Sequence, residues 1–298
     1  MYYTYSDTFA HTITSIYGTK GTQWLAQLPK IIEQCAEEWG LTELKPYAHL
    51  TYNYVLSGMI QRTPIVLKLR CDHEALVKEC TALNAFQGYG CVKVLASKRE
   101  TGALLLERMI PGELLTTLFS HDDARATRIA ADCIRMLHKA PISTTFTFLS
   151  LEHTLPRFTD EPRALAPFLA HARALRKQLL ATQEQSVLLH GDFHQGNIIS
   201  SGTDTWAVID PEGLVGDPIY DLAVYIRNPL TELIEASNAK AIITQRIHDF
   251  AQLLGYDAQR IYDWTYLQAV SSAYWSIEDG LDALRHVTFL KMLGEMQR

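Results

Sequence analysis

The run His190-Gly191-Asp192-Phe193-His194-Gln195-Gly196-Asn197, followed by Asp210 thirteen positions after Asn197, gathers acids, amides and imidazoles at a spacing that could do chemistry. Apolar stretches bracket it: Val187-Leu188-Leu189 before, Ile198-Ile199 after, and Trp206-Ala207-Val208-Ile209 leading into Asp210. That pattern reads as strand, polar loop, strand, turn, strand, with two carboxylates and a carboxamide at one end of a small hairpin. The chemistry such a set suits is phosphoryl transfer to an alcohol. A loop carboxylate, Asp192, would orient the hydroxyl and take its proton late, while Asn197 and Asp210 would offer oxygen ligands to the cation that neutralises the phosphates. Asp192 alone could cap a turn, and Asp210 alone could end a strand; the spacing of the whole set argues for a site.

The elements that must position these residues suggest an α+β, bilobal plan. Trp24, Leu25, Leu28, Ile31, Ile32, Cys35 and Trp39 recur at helical spacing, with Pro29 expected to open a new helix and Gly40 to stop it. Between 47 and 70 the period shortens. His49-Leu50-Thr51-Tyr52, Tyr54-Val55-Leu56 with Met59-Ile60, and Ile65-Val66-Leu67-Lys68-Leu69 predict three antiparallel strands, separated by Asn53, Ser57-Gly58 and Thr63-Pro64. A helix over 72–86 and strands over 91–96 and 103–107 complete a small five-stranded lobe. Helices then dominate, over 122–139 with Ser120 or Asp122 as N-cap, over 163–181, and from 219 to the end. The expected organisation is an N-terminal lobe with a helical extension over 1–107, a linker over 108–112 and a larger helical lobe over 113–298, with a cleft between the lobes.

The net charge of −6 argues against a nucleic-acid partner, for which a basic face supplies most of the affinity. No stretch approaches the ~18 apolar residues of a membrane span, and Met1-Tyr2-Tyr3-Thr4-Tyr5 lacks the basic and apolar regions of a secretory signal. The five cysteines are scattered and have no metal-ligand spacing, so free thiols in a reducing cytoplasm are expected.

At these residues the chain resembles the aminoglycoside phosphotransferase and choline kinase-like superfamily, the small-molecule relatives of protein kinases. Residues 190–197 match its HGDxHxxN motif, and Ile209-Asp210-Pro211-Glu212-Gly213 with Gly216-Asp217-Pro218-Ile219-Tyr220-Asp221-Leu222-Ala223 match its metal-binding segment and the GDPxxDLA run that follows. Further likeness spans residues 17–285 and is strongest to the streptomycin 6-phosphotransferase and hydroxyurea phosphotransferase branch. Tyr52-Asn53-Tyr54-Val55, Leu104-Leu105-Leu106-Glu107-Arg108 and Trp275-Ser276-Ile277-Glu278-Asp279-Gly280 are among the stretches that carry it.

The resemblance implies a protein kinase-like fold and an ATP- and Mg2+-dependent transfer to a small hydroxylated molecule such as streptomycin or hydroxyurea, hence antibiotic inactivation. It implies Lys68 on the α/β-phosphates, with Glu79 as its partner and Glu74 as the rival, and backbone hydrogen bonds to adenine near Glu107, Arg108 and Met109. It also implies an aspartate that accepts backbone hydrogen bonds from the catalytic loop, a role that falls to Asp217, with Asp221 as a helix cap or dipole partner. His190 and His194 would shape the loop. Thr51-Tyr52-Asn53 lacks the glycines of a protein-kinase phosphate loop, leaving Asn53 and Ser57 as weak candidates for a clamp. Substrate contacts would come from Glu212, Trp275, Glu278 or Asp279, the acids suiting a cationic substrate; equally, Glu278 and Asp279 could be a solvated helix face, and Glu212 could meet a second metal ion. Alternatives are a sugar or amino-alcohol kinase of the same fold and a nucleotide-binding pseudokinase serving as an interaction module.

Overall fold

The computed structural model describes residues 4–48, 50–142 and 145–296 and divides into two compact units, residues 1–87 with 92–112 and residues 88–91 with 113–298.

The first unit opens with helix α1 (Asp7–Trp39), capped by the Ser6 hydroxyl and ended by Gly40 in the left-handed conformation at φ 64°. The break in this helix is at Gly18 (φ 55°), not at Pro29, which lies inside it. Three strands follow, β1 (Leu41–Pro46), β2 (Asn53–Ile60) and β3 (Thr63–Arg70), then helix α2 (His73–Ala85) and strands β4 (Val94–Lys98) and β5 (Ala103–Glu107). They form one antiparallel sheet in the order β1-β2-β3-β5-β4.

The strand count is as expected, but the boundaries differ. The first strand is Leu41–Pro46, with Leu41 and Leu44 inward, rather than the stretch at 49–52; His49 lies outside the described residues. Ser57-Gly58 does not interrupt β2. A Cβ on Gly58 would sit 2.6 Å from a Leu44 methyl, so the glycine permits close packing within the strand rather than marking a turn. Thr63-Pro64 likewise begins β3. Alternation along β3 then sorts the side chains. Ile65, Leu67 and Leu69 join the core that Phe9, Ile13, Trp24, Leu28 and Ile32 of α1 build on one face, and Lys68 takes the other.

The second unit contains α3 (Asp123–Leu137), β6 (Leu149–Ser150), α4 (Leu151–Thr154), α5 (Ala166–Ala181), β7 (Val187–Leu189), β8 (Ile198–Ser200), β9 (Trp206–Val208), β10 (Leu214–Gly216), α6 (Ile219–Arg227), α7 (Leu230–Glu235), α8 (Ala239–Leu254), α9 (Ala258–Glu278) and α10 (Leu284–Met296). β8 and β9 make the expected hairpin, while β7 pairs with β10, which pairs with β6 on its other side. Every α9 residue from Ile261 to Tyr274 is buried, as is all of α6 up to Ile226, so both helices are covered on all sides. No described helix is long and apolar enough to cross a membrane.

Candidate active site

In the first unit, Lys68 Nζ lies 2.7 Å from Glu79 Oε1, with both side chains about 5% exposed. Glu79 Oε2 also accepts from Arg70 Nη1 at 3.1 Å. An ammonium inside an apolar strand needs such a partner, and α2, started by the Asp72 side chain, delivers it. Glu74 instead pairs with Arg99 at the surface.

Around the linker, Glu107 N donates to Lys93 O at 3.0 Å and Arg108 N to Pro64 O at 3.3 Å, while the Glu107 side chain accepts from Lys93 N at 2.7 Å. These two N–H groups are therefore taken, and among the described residues Met109 N–H has no backbone partner. Ser57 Oγ donates to Lys45 O at 3.3 Å across β1–β2, and Asn53 Oδ1 is buried without a partner.

In the second unit, β7 ends at Leu189 and the loop turns at Gly191 (φ 88°), where a Cβ would come within 3.0 Å of Glu212 Cβ. The loop is then fixed from several sides. Asp221, fully buried, accepts from His190 N through Oδ2 and from Gly191 N through Oδ1, both at 2.9 Å; His138 Nε2 lies 3.2 Å from Oδ2. His190 Nδ1 accepts from Asp192 N at 3.2 Å, and its Nε2 lies 2.9 Å from Ile209 O, so the ring carries its proton on Nε2 and is neutral. Burial lowers its pKa in the same sense. Gln195 Nε2 donates to Asn228 O at 2.8 Å, tying the following turn to the end of α6.

The Asp192 side chain stays 44% exposed. His194 Nδ1 accepts from Gly196 N at 3.0 Å, which places the ring proton on Nε2, 3.4 Å from Asp192 Oδ2. Asn197 Nδ2 donates to Asp192 O at 2.9 Å and to Oδ2 at 3.3 Å. Burial opposes charge on this carboxyl, but the His194 hydrogen bond, with the neighbouring imidazoles and the Arg227 charge, outweighs it and holds the pKa down at about 2. With Nδ2 committed, Oδ1 is the Asn197 atom that can ligate a cation.

Ile209 N donates to Asn197 O at 2.9 Å, which sets Asp210 beside this residue. Asp210 itself adopts φ 59°, a left-handed conformation unfavourable for a non-glycine residue. A carboxylate and a carboxamide oxygen suit magnesium, which uses one or two protein oxygens and fills the remainder with phosphate and water. Among the described residues no cluster of three or more His, Cys, Asp and Glu forms a self-sufficient metal cage.

Asp217 does not hold the loop. It accepts from Ile219 N at 3.0 Å and Trp264 Nε1 at 3.1 Å and pairs with Arg260, so it joins the start of α6 to α9. The loop-holding role belongs to Asp221, one turn into a buried helix, where a carboxylate must be paired. That position was the available sequence signal. Glu212 is exposed, and its N–H donates to His190 O at 2.8 Å. Glu278 and Asp279 are exposed at the end of α9, where Asp279 N donates to Trp275 O. Among the described residues no hydrogen bond or ion pair connects Trp275, Glu278 or Asp279 to the loop. Arg227 and His138 carried no sequence signal because single polar residues in helical segments form no motif, and Gln195 fell at a position that the loop motif leaves open.

A family model described as aminoglycoside/hydroxyurea antibiotic resistance kinase matches residues 54–280. Streptomycin 6-kinase from Streptomyces glaucescens is 29% identical over 276 residues, covering 90% of this chain and 89% of that protein. Hydroxyurea phosphotransferase from Kitasatospora aureofaciens is 31% identical over 276 residues, covering 90% and 78%. Among solved structures, a thermostable aminoglycoside phosphotransferase mutant in ternary complex with ADP and hygromycin B superposes with a TM-score of 0.66 at 15% identity, covering 89% of this chain and 96% of that one. A choline/ethanolamine kinase family protein from Mesorhizobium loti gives 0.65 at 12% identity, covering 90% and 95%. Both share the fold.

Proposed function

The chain belongs to the aminoglycoside/hydroxyurea antibiotic resistance kinases, and we propose that it transfers the γ-phosphoryl group of ATP to a hydroxyl of a small antibiotic, with streptomycin and hydroxyurea, the substrates in its relatives' names, as the leading acceptors. The observation that carries this reading is the Asp192 carboxylate, part-exposed and held between His194 Nε2 and Asn197 Nδ2.

Asp192 accepts the acceptor's O–H as a hydrogen bond. A carboxyl with a pKa of about 2 is too weak a base to ionise an alcohol beforehand, so it orients the oxygen and receives the proton only as the bond to phosphorus forms. Asn197 Oδ1 and the Asp210 carboxylate would hold magnesium, which when bound neutralises phosphate charge. Lys68, fixed by Glu79, contacts the α/β-phosphates, and Met109 N–H with the Glu107 backbone meets the adenine. His190, His194 and Asp221 keep the loop in shape. Glu212 and, more distantly, Trp275, Glu278 and Asp279 remain the acidic and aromatic candidates for substrate contact. In this reading residues 1–107 bind nucleotide, 108–112 act as a hinge and 113–298 carry the catalytic loop.

The test is magnesium-dependent phosphorylation of streptomycin and hydroxyurea by wild type and Asp192→Asn. Product from wild type, reduced about 10²- to 10⁴-fold in the variant, is expected for loss of a general base. Equal product from both would remove Asp192 from this role, and no product from wild type would send the acceptor search to sugars and amino alcohols.

A further inference from the structure

The C-terminal end of α6 is locked to the catalytic loop. Gln195 reaches the carbonyls of Tyr225 and Asn228, and buried Arg246 donates to Ile226 O at 3.0 Å while pairing with Asp123 at 2.6 Å. Arg227 lies between these anchored carbonyls in the chain, so its backbone is fixed relative to the loop. Its guanidinium is secured at one corner only. Nε donates to Gln268 Oε1 at 2.8 Å, and Gln268 is itself oriented by its bond to Ser272 Oγ at 3.0 Å. Among the described residues the two terminal amino groups of Arg227 make no hydrogen bond, so four N–H donors remain. The Arg227 charge lowers the pKa of both Asp192 and His286.

His286 adds no charge to this wall. Ser276 Oγ donates to Ser272 O at 2.9 Å, so towards His286 Nε2, 3.3 Å away, it accepts; the imidazole proton therefore sits on Nε2, and Nδ1 is a buried lone pair without a partner. Burial, reinforced by Arg227, pulls the pKa of this ring down to about 4.

A fixed cation with unused donors, on a segment hydrogen-bonded to the catalytic loop through Gln195, repels a guanidinium or ammonium near the reacting hydroxyl and attracts a carbonyl oxygen. Among the described residues the acidic pair that would favour a polycation, Glu278 and Asp279, makes no hydrogen bond or ion pair with the loop. Resting on the phosphotransferase reading, we propose that Arg227 determines acceptor specificity: it takes the carbonyl oxygen of a small neutral acceptor whose hydroxyl lies one atom beyond the carbonyl's neighbour, as in hydroxamates and N-hydroxyureas, while Asp192 takes that hydroxyl. In the transfer the hydroxyl oxygen forms the new bond to γ-phosphorus, the bond from γ-phosphorus to the ADP oxygen breaks, and the hydroxyl proton passes to Asp192 and then to water.

The test titrates the MgADP-loaded protein with hydroxyurea and with streptomycin, and measures turnover of each from MgATP, for wild type, Arg227→Lys and Arg227→Gln. Expected are binding and turnover of hydroxyurea by wild type and an increase in its KM of about 10- to 100-fold in Arg227→Gln, the range for hydrogen bonds to a charged group. Arg227→Lys should fall between, and streptomycin turnover should rise relative to hydroxyurea in both variants. Equal losses with both acceptors, a fall in kcat alone, preference of wild type for streptomycin, or no hydroxyurea binding by a protein that binds MgADP would each overturn the proposal. Failure to bind MgADP would remove the phosphotransferase reading and this inference with it. The MgADP affinity of each variant controls for folding, and Arg227→Lys preserves the buried charge should Arg227→Gln fold poorly.

Discussion

Two histidines are kept neutral by their surroundings, His190 in the catalytic loop through its paired ring nitrogens and His286 by burial, reinforced by the Arg227 charge. Above the ordinary histidine pKa of 6.5 folded and unfolded chains hold the same number of protons on these rings. Below it the unfolded chain binds protons that the folded one refuses, so stability falls as pH drops from 6.5 towards about 4, where His286 itself titrates. Urea unfolding across that range should show the decline, with a shallower slope in His286→Gln; an identical slope would exclude His286 as a contributor. Asp192 has a linkage of the same sign at lower pH: its contribution is complete above 3.8 and is lost as pH falls through about 2. Asp192, Asn197 and Asp210 were legible because their spacing is a motif. The residues that orient them were less so, because nothing in a sequence shows which of two aspartates four positions apart turns towards a loop.

At the scale of elements, Asp217 and Asp221 bracket the start of α6 and serve different partners. Asp221→Asn keeps the size of the side chain but removes the charge that holds two loop N–H groups; kcat should fall at least about tenfold, as a charge-assisted bond of roughly 1.5–3 kcal/mol weakens. Asp217→Asn weakens the connection to Arg260 and Trp264 on α9, so its loss should appear mainly in melting temperature, with kcat at low temperature largely retained. Equal effects of the two substitutions on kcat would refute this division. Helix positions were readable where one face is polar, as in α3, and the stop at Gly40 was readable from the residue type alone. Strand limits in the first unit were not: Gly58 looks like a turn residue in sequence, and only the nearby Leu44 side chain explains it as packing. The pairing of β10 with β6 and β7 was also hidden, since strands of two and three residues leave no period to detect.

For the whole molecule, the family and the α+β class followed from long motifs, whereas the side chains proposed to select the acceptor are dispersed along the chain and form no motif. Nucleotide binding offers a global check. MgATP at 100 times its dissociation constant should stabilise wild type by about 2.7 kcal/mol and raise its melting temperature, and Asp210→Ala should lose most of that gain while melting similarly without nucleotide. An equal gain in the variant would take Asp210 out of metal binding. The division of the chain has a consequence of a different kind. Residues 88–91 belong with the second unit, where Gly90 O accepts from Val208 N and Cys91 bridges to Val208, yet 92–112 return to the first. The backbone therefore passes between units three times. A gene fusion that exchanged halves at a single crossover near residue 112 would deprive the hairpin behind the catalytic loop of its neighbouring backbone. Recombination that preserves both units therefore needs junctions at all three passages rather than one.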